Sequence, residues 1–286
     1  MKRKIALWKW ILIFVAALIL GIIGYFLLMT VAQLGNNPIL NVIGSFVLIL
    51  LYALFVMLLE RQHADDLSIK RLLPNLSLGL LIGCLFFVVV VGIMILVGCG
   101  SLITGSYTWN EQFVSLTLFL SVAVGEEIIN RGILFRFIDE RWNVWAALII
   151  SSFIFGILHL PNDGATWWSC IAIAIEAGLL LGAAYKYSGS LWLPIGIHWA
   201  WNFVQGHVFG FSVSGNKLEN SFFKTVTNGP DILTGGAFGA EASIISVVVG
   251  LSVSIFFIYL FVKRRPQVAN SDNDGLPIPE IEIADK

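Results

Sequence analysis

Eight stretches of mostly apolar residues, each close to the length that crosses a hydrocarbon layer, dominate this sequence. They cover residues 10–30, 39–59, 78–97, 113–136, 144–160, 167–185, 191–211 and 244–262. A helix rising about 1.5 Å per residue needs about 20 such residues to cross about 30 Å of hydrocarbon. Backbone groups there have no water to bond, so a helix must satisfy them internally. Composition agrees: 58% of the 286 residues are hydrophobic and 12% are charged, against roughly 25% charged in soluble domains. The predicted fold is all-α, a polytopic membrane bundle of about eight transmembrane helices.

Charge distribution orients this bundle. With the N-terminus inside, only Lys217 and Lys224 of the 17 lysines and arginines fall outside, which leaves 15 on the inner side. That asymmetry predicts cytoplasmic termini. Met1-Lys2-Arg3-Lys4 followed by an apolar run imitates a signal peptide, but the run is long and lacks a clear cleavage site, so it reads as a retained helix. The expected location is integral in a membrane, a bacterial cell membrane. The expected organisation is an N-terminal transmembrane hairpin (1–75), a helical core (76–262) and a disordered cytoplasmic tail (263–286). The loop over 212–243 is external and either covers the mouth of a cavity or simply connects. A net charge of −1 leaves no basic footprint for nucleic acid. Cys84, Cys99 and Cys170 are scattered in or beside apolar runs and read as small buried hydrophobes.

Polar residues inside three of these stretches need a reason, because ionisable groups in hydrocarbon cost several kcal/mol. The fourth carries Glu126, Glu127, Asn130 and Arg131. The fifth carries His159, four residues after Phe155. The seventh carries His198 and, four later, Asn202. A four-residue step keeps two side chains on one helix face. Glu127 therefore pairs with Arg131, each lowering the other's burial cost. Glu126 points roughly 100° away, without a local cation, and takes the role of base. His159 is a second hand for an attacking water, and His198 with Asn202 donates to a developing oxyanion.

Structural readings stand beside these. Glu127 with Arg131 is equally an internal ion pair, His159 a helix-end histidine on a carbonyl, and His198 with Asn202 a clamp between helices. Glu176, inside the sixth stretch, either lines the site or bonds a neighbouring helix as the protonated acid. His207 reads as interfacial and Phe155 as packing that shapes the site.

Together the motifs resemble a family. Glu-Glu-x-x-x-Arg at Glu126, Glu127 and Arg131, Phe-x-x-x-His at Phe155 and His159, and His-x-x-x-Asn at His198 and Asn202 resemble the CPBP group. Its members are CAAX prenyl proteases and bacteriocin-processing (Abi) intramembrane endopeptidases. The run from Gly189 to Pro194 and the run from Thr234 to Gly239 are also similar, so the resemblance covers roughly residues 75 to 260.

The resemblance implies an eight-helix bundle that hydrolyses peptide bonds near the membrane. Glu126 and His159 would activate water, His198 and Asn202 would stabilise the oxyanion, and Glu127 and Arg131 would hold the geometry. No cofactor is expected to be required, since the His-Glu-x-x-His zinc signature is absent. The alternative is Zn2+ held by Glu126, His159 and His198. Expected partners are membrane lipids and a membrane-associated peptide or lipid-modified protein.

Two other readings compete: a proton- or ion-coupled transporter through Glu126, Glu176 and the histidines, and a non-catalytic peptide-binding immunity protein. Depth poses a problem for the site. His198 lies roughly 10 Å along its helix and His159 roughly 22 Å along its own, so the fifth helix must tilt or begin outside the hydrocarbon.

Overall fold

The computed structural model describes residues 6–35 and 37–271. Each apolar stretch forms helix, and the breaks fall where side chains cap or end it. Helix α1 spans Leu7–Gly35 and α2 spans Pro38–Leu58. Asn37 starts α2: its side chain accepts from Ile39 N at 2.9 Å, and Pro38 occupies the first turn, where no N–H is needed. Helix α3 follows over Ile69–Leu96.

The next helix is continuous over Trp109–Arg141. It consists of α4 (Trp109–Glu127), a π-helical segment (Ile128–Phe135) and α5 (Arg136–Arg141). Asn143 then caps the short α6 (Val144–Ile157) by accepting from Trp145 N and Ala146 N, each at 3.0 Å. The sixth helix comprises α7 (Trp167–Ile173), a second π segment (Ala174–Leu179) and α8 (Leu180–Ser188). The seventh comprises α9 (Trp192–Phe203) and a third π segment (Val204–Val208). After α10 (Asp231–Thr234), α11 runs over Ile244–Ser271. Of the tail expected over 263–286, residues 263–271 continue α11, and the rest lie outside the described residues.

Among the described residues six helices are long and apolar enough to cross a membrane, and the all-α membrane bundle holds. The two shorter ones are α6, and α9 with its π segment. The first leads into the turn that carries His159 and keeps one face exposed at Ile149 and Phe153; the second carries His198 and is mostly buried.

Backbones come closest where α3 crosses α9. A Cβ on Gly79 would run into Leu193 O, and one on Gly83 into Ile197 O. Glycines four apart let two membrane helices touch backbone to backbone, where dispersion replaces a missing hydrophobic drive. This crossing fixes the helix that carries His198 and Asn202. Trp201 of α9 stacks on Phe86 of α3 with ring centroids 4.0 Å apart. On the other flank, α1 and α2 pack against α4, while Trp8, Phe26 and Phe46 remain exposed to the bundle's surroundings.

Ionic and polar contacts tie together one end of the bundle. Arg136 forms a two-pronged pair with Glu60 at 2.6 and 2.7 Å, and Lys186 meets Asp139 at 2.5 Å. Arg71 donates to Gly189 O at 2.9 Å, and Tyr52 OH lies 2.7 Å from Asp66 Oδ2. At the opposite end β1 (Gly100–Thr104) pairs antiparallel with β2 (Phe223–Thr227), Gly100 opposite Thr227 and Thr104 opposite Phe223. The 212–243 loop thus supplies one strand of a two-stranded sheet.

Candidate active site

Glu127 is the hub of the polar core. It is fully buried, and its Oε1 accepts from Arg131 Nη1 at 2.8 Å and from His198 Nδ1 at 2.9 Å. Arg131, 1% exposed, uses its other prong on the carbonyls of Gly178 at 3.1 Å and Ala177 at 3.4 Å. Both carbonyls belong to the π segment of the sixth helix. The guanidinium also lies 4.6 Å from the ring centroid of Phe155, within cation–π range. Phe155 therefore does more than fill space: it caps the buried cation, and its ring stands edge-on to both His159 and His198.

His198 joins the two glutamates. Its Nδ1 is committed to Glu127, and its Nε2 lies 3.9 Å from Glu126 Oε2. Glu126 is the more open carboxylate, its side chain 21% exposed. Its second oxygen accepts from Tyr25 OH at 3.1 Å. Tyr25 comes from α1, and its ring lies where a Cβ on residue 125 would sit, so Gly125 is what admits it. Asn130 donates back to Glu126 O at 2.9 Å.

His159 sits on the turn just beyond α6. Its Nδ1 lies 2.8 Å from Phe155 O. A carbonyl only accepts, so Nδ1 carries the proton and Nε2 is left with a lone pair. The distance along the chain did not keep the two histidines apart. His159, His198 and Asn202 line one cavity of about 20 Å³, together with Phe155, Trp201, Ser214 and Glu241. That volume is room for about one water. Glu126 is not on its wall and meets the cavity through His198.

Three contributors escaped the sequence reading. Tyr25 lies in a helix that carries no motif. Ser214 and Glu241 come from the 212–243 loop, which does more than connect. Glu241 is 3% exposed in the short turn Ala240–Ala242. It accepts from Ser214 N, with Gln205 and Trp201 as further donors. Burial raises its carboxyl to about 7, against the lowering effect of those donors. An acidic residue beside the Gly-rich run 234–239, just before an apolar helix, was the available signal.

Two expectations differ from the structure. Glu176 is not among the cavity's lining residues; it is fully buried, with neither carboxyl oxygen bonded. His207 is 3% exposed rather than interfacial, stacked on Phe203 with centroids 5.7 Å apart.

Among the described residues no group of three His, Cys, Asp or Glu side chains converges; both histidines engage Nδ1 and leave Nε2 toward the site.

The bundle and its buried acid–histidine–asparagine cluster define a polytopic membrane protein with an internal polar site. Residues 108–204 match the family model described as Rce1-like, Type II CAAX prenyl endopeptidase. The match covers about a third of the chain and contains every motif residue from Glu126 to Asn202. Over this stretch the family resemblance drawn from the motifs is borne out; it is that of a CAAX-type protease, a hydrolase. No curated protein matches the chain.

Proposed function

We propose that this chain is an intramembrane endopeptidase that hydrolyses a peptide bond of a membrane-associated peptide or a lipid-modified protein terminus. The observation that carries the reading is His198 held between two carboxylates beside a one-water cavity that also receives His159 and Asn202.

In this reading a water in the cavity attacks the carbonyl carbon of the substrate. Its proton goes to Glu126 or to the free Nε2 of His159. The developing oxyanion accepts from Asn202 Nδ2 and from His198 Nε2. Because Nδ1–H of His198 is committed to Glu127, Nε2 donates only in the imidazolium form, with a carboxylate on either side as counter-ion. Collapse of the tetrahedral intermediate breaks the C–N bond, and the proton taken from water passes to the leaving amine. Glu127, Arg131 and Phe155 position His198 and touch no substrate. No step is routed through a metal.

The charge asymmetry supports an orientation with the tied, basic end of the bundle and both termini on the cytoplasmic side. The test is cleavage of a membrane-anchored peptide library by purified protein, wild type against Glu126→Gln and His159→Gln, with and without chelator. Loss in both variants with cleavage surviving chelation supports the reading. Loss on chelation, with recovery on adding zinc, would replace it with a metalloprotease, and equal cleavage by wild type and both variants would remove the roles assigned here.

A further inference from the structure

Two spaces lie one behind the other at the end of the bundle opposite the basic ties. The inner one is the cavity of about 20 Å³, walled on this side by Ser214 and Glu241. The outer one is a polar vestibule of about 430 Å³, lined by Asp163, Gly164, Gly215, Asn216, Lys217 and Ala237. The turn over residues 213–216 separates them, with Ser214 facing the inner space and Gly215 the outer.

That turn is tied down in an unusual shape. Ser214 has a φ of 48°, a left-handed conformation that side chains rarely adopt. Glu241 holds its N–H, Asn162 Nδ2 donates to its carbonyl at 2.9 Å, and Gly215 N donates to Phe238 O at 2.8 Å. Strained backbone held by surrounding bonds is typical of clamps and switch regions. The inner space has room for about one water, so the flanking peptide must lie in a larger space beside it. Among the walls described here, this turn is the one backed by a larger polar space.

We propose that the vestibule binds the peptide segment next to the scissile bond, and that the 213–216 turn yields to let that bond reach His159, His198 and Asn202. The inference rests on the endopeptidase reading and adds a side. Among the described residues the vestibule end carries only Lys217 and Lys224 of the lysines and arginines, so by the charge rule it is the non-cytoplasmic end. The substrate is then a membrane-anchored chain with its cut site on the non-cytoplasmic side, in an extended polar segment that Asp163, Asn216 and Lys217 can bond.

The test uses the full chain in sealed vesicles of known orientation. Lys217→Cys puts a thiol in the vestibule, and Lys70→Cys puts one at the basic end; both positions are exposed, and wild type serves as the blank for the three native cysteines. A membrane-impermeant maleimide added from the non-cytoplasmic side is expected to label Lys217→Cys at least tenfold faster than Lys70→Cys. Labelling of Lys217→Cys only from the cytoplasmic side overturns the sidedness. With a mild oxidant added to take the two electrons, a membrane-anchored peptide bearing one cysteine beside its anchor is expected to form a disulfide with Lys217→Cys and not with Lys70→Cys. Trapping at both, or at Lys70→Cys alone, overturns the vestibule. Adding Asn162→Ala, which removes one tie, should speed trapping several-fold; an unchanged rate means that the turn is not the barrier. None of these readouts depends on cleavage. A chain that traps peptide here and cuts none would refute the endopeptidase reading and leave the binding site standing.

Discussion

His198 donates its Nδ1–H to Glu127 Oε1 at 2.9 Å, and the oxygen that receives it also accepts from Arg131. The ring is thereby fixed from behind, with only Nε2 left for chemistry, in the manner of an outer carboxylate that sets a histidine's tautomer. Because Glu127 is fully buried, its charge is tolerable only while both donors stay in place.

Glu127→Gln removes the anion and leaves Arg131 as a buried, unpaired cation. The expected loss is on the order of 3–5 kcal/mol, seen as a lower midpoint in thermal unfolding in detergent. Adding Arg131→Met should restore part of that stability without restoring cleavage. Full stability in the single variant would show that the ion pair is not what holds the helices together.

Glu126→Gln should behave in the opposite way. Its carboxylate is partly open and bonds only Tyr25 OH and, at longer range, His198, so the unfolding midpoint should barely move. Cleavage should fall by roughly 10²–10⁴, the range for losing a general base. Tyr25→Phe, which releases the same carboxylate from its hydrogen bond, should change the rate by a smaller factor. A Glu126→Gln protein that cuts at the wild-type rate assigns the base to His159 alone.

Gly83→Val should separate α3 from α9. Its side chain would meet Ile197 O and Trp201 N, and overpacking of this kind costs about 1–3 kcal/mol or more. Since α9 carries His198 and Asn202, cleavage should fall with stability. Gly92→Ala in the same helix is the control, because nothing lies within 4 Å of its added Cβ.

Stability should depend on pH through Glu241. Burial raises its carboxyl to about 7 in the folded chain, against about 4.3 when unfolded. Between those values the folded state holds a proton that the unfolded state releases. The stabilisation is therefore complete below about pH 4.3 and is lost as pH rises through 7. Burial raises Asp66 as well, so the two act in the same direction. The unfolding midpoint should fall between about pH 5 and pH 8, and Glu241→Gln should flatten that slope, leaving the share due to Asp66. An unchanged slope in Glu241→Gln would mean that Glu241 titrates alike in both states.

Much of this molecule could be read in its sequence, for a physical reason. Against an apolar background a charged side chain is conspicuous, so Glu126, Glu127, Arg131, His159, His198 and Asn202 stood out without any structure. The i,i+4 rule alone matched Glu127 with Arg131. What could not be read was contact between elements distant in sequence. Tyr25 looks like any aromatic in a lipid-facing helix until Gly125 opens a place for it. Glu241 looks like loop polarity until Ser214, Gln205 and Trp201 bury it. Depth counted along single helices also misled, because α6 stops at Ile157 and His159 lies on the turn beyond.

The π segments give the bundle a property that regular helices would lack. In an α-helix every inner carbonyl is taken by the N–H four residues on, so a neighbour finds no free acceptors on its side. Two widened stretches face one another around Arg131. One, Ile128–Phe135, carries the arginine itself, and the other, Ala174–Leu179, offers it the carbonyls of Ala177 and Gly178. The local irregularity of two helices thus acts as solvent for a full positive charge, doing inside the protein what water would do outside it. Straightening either helix would take those carbonyls away from the cation and leave it to Glu127 and Phe155 alone.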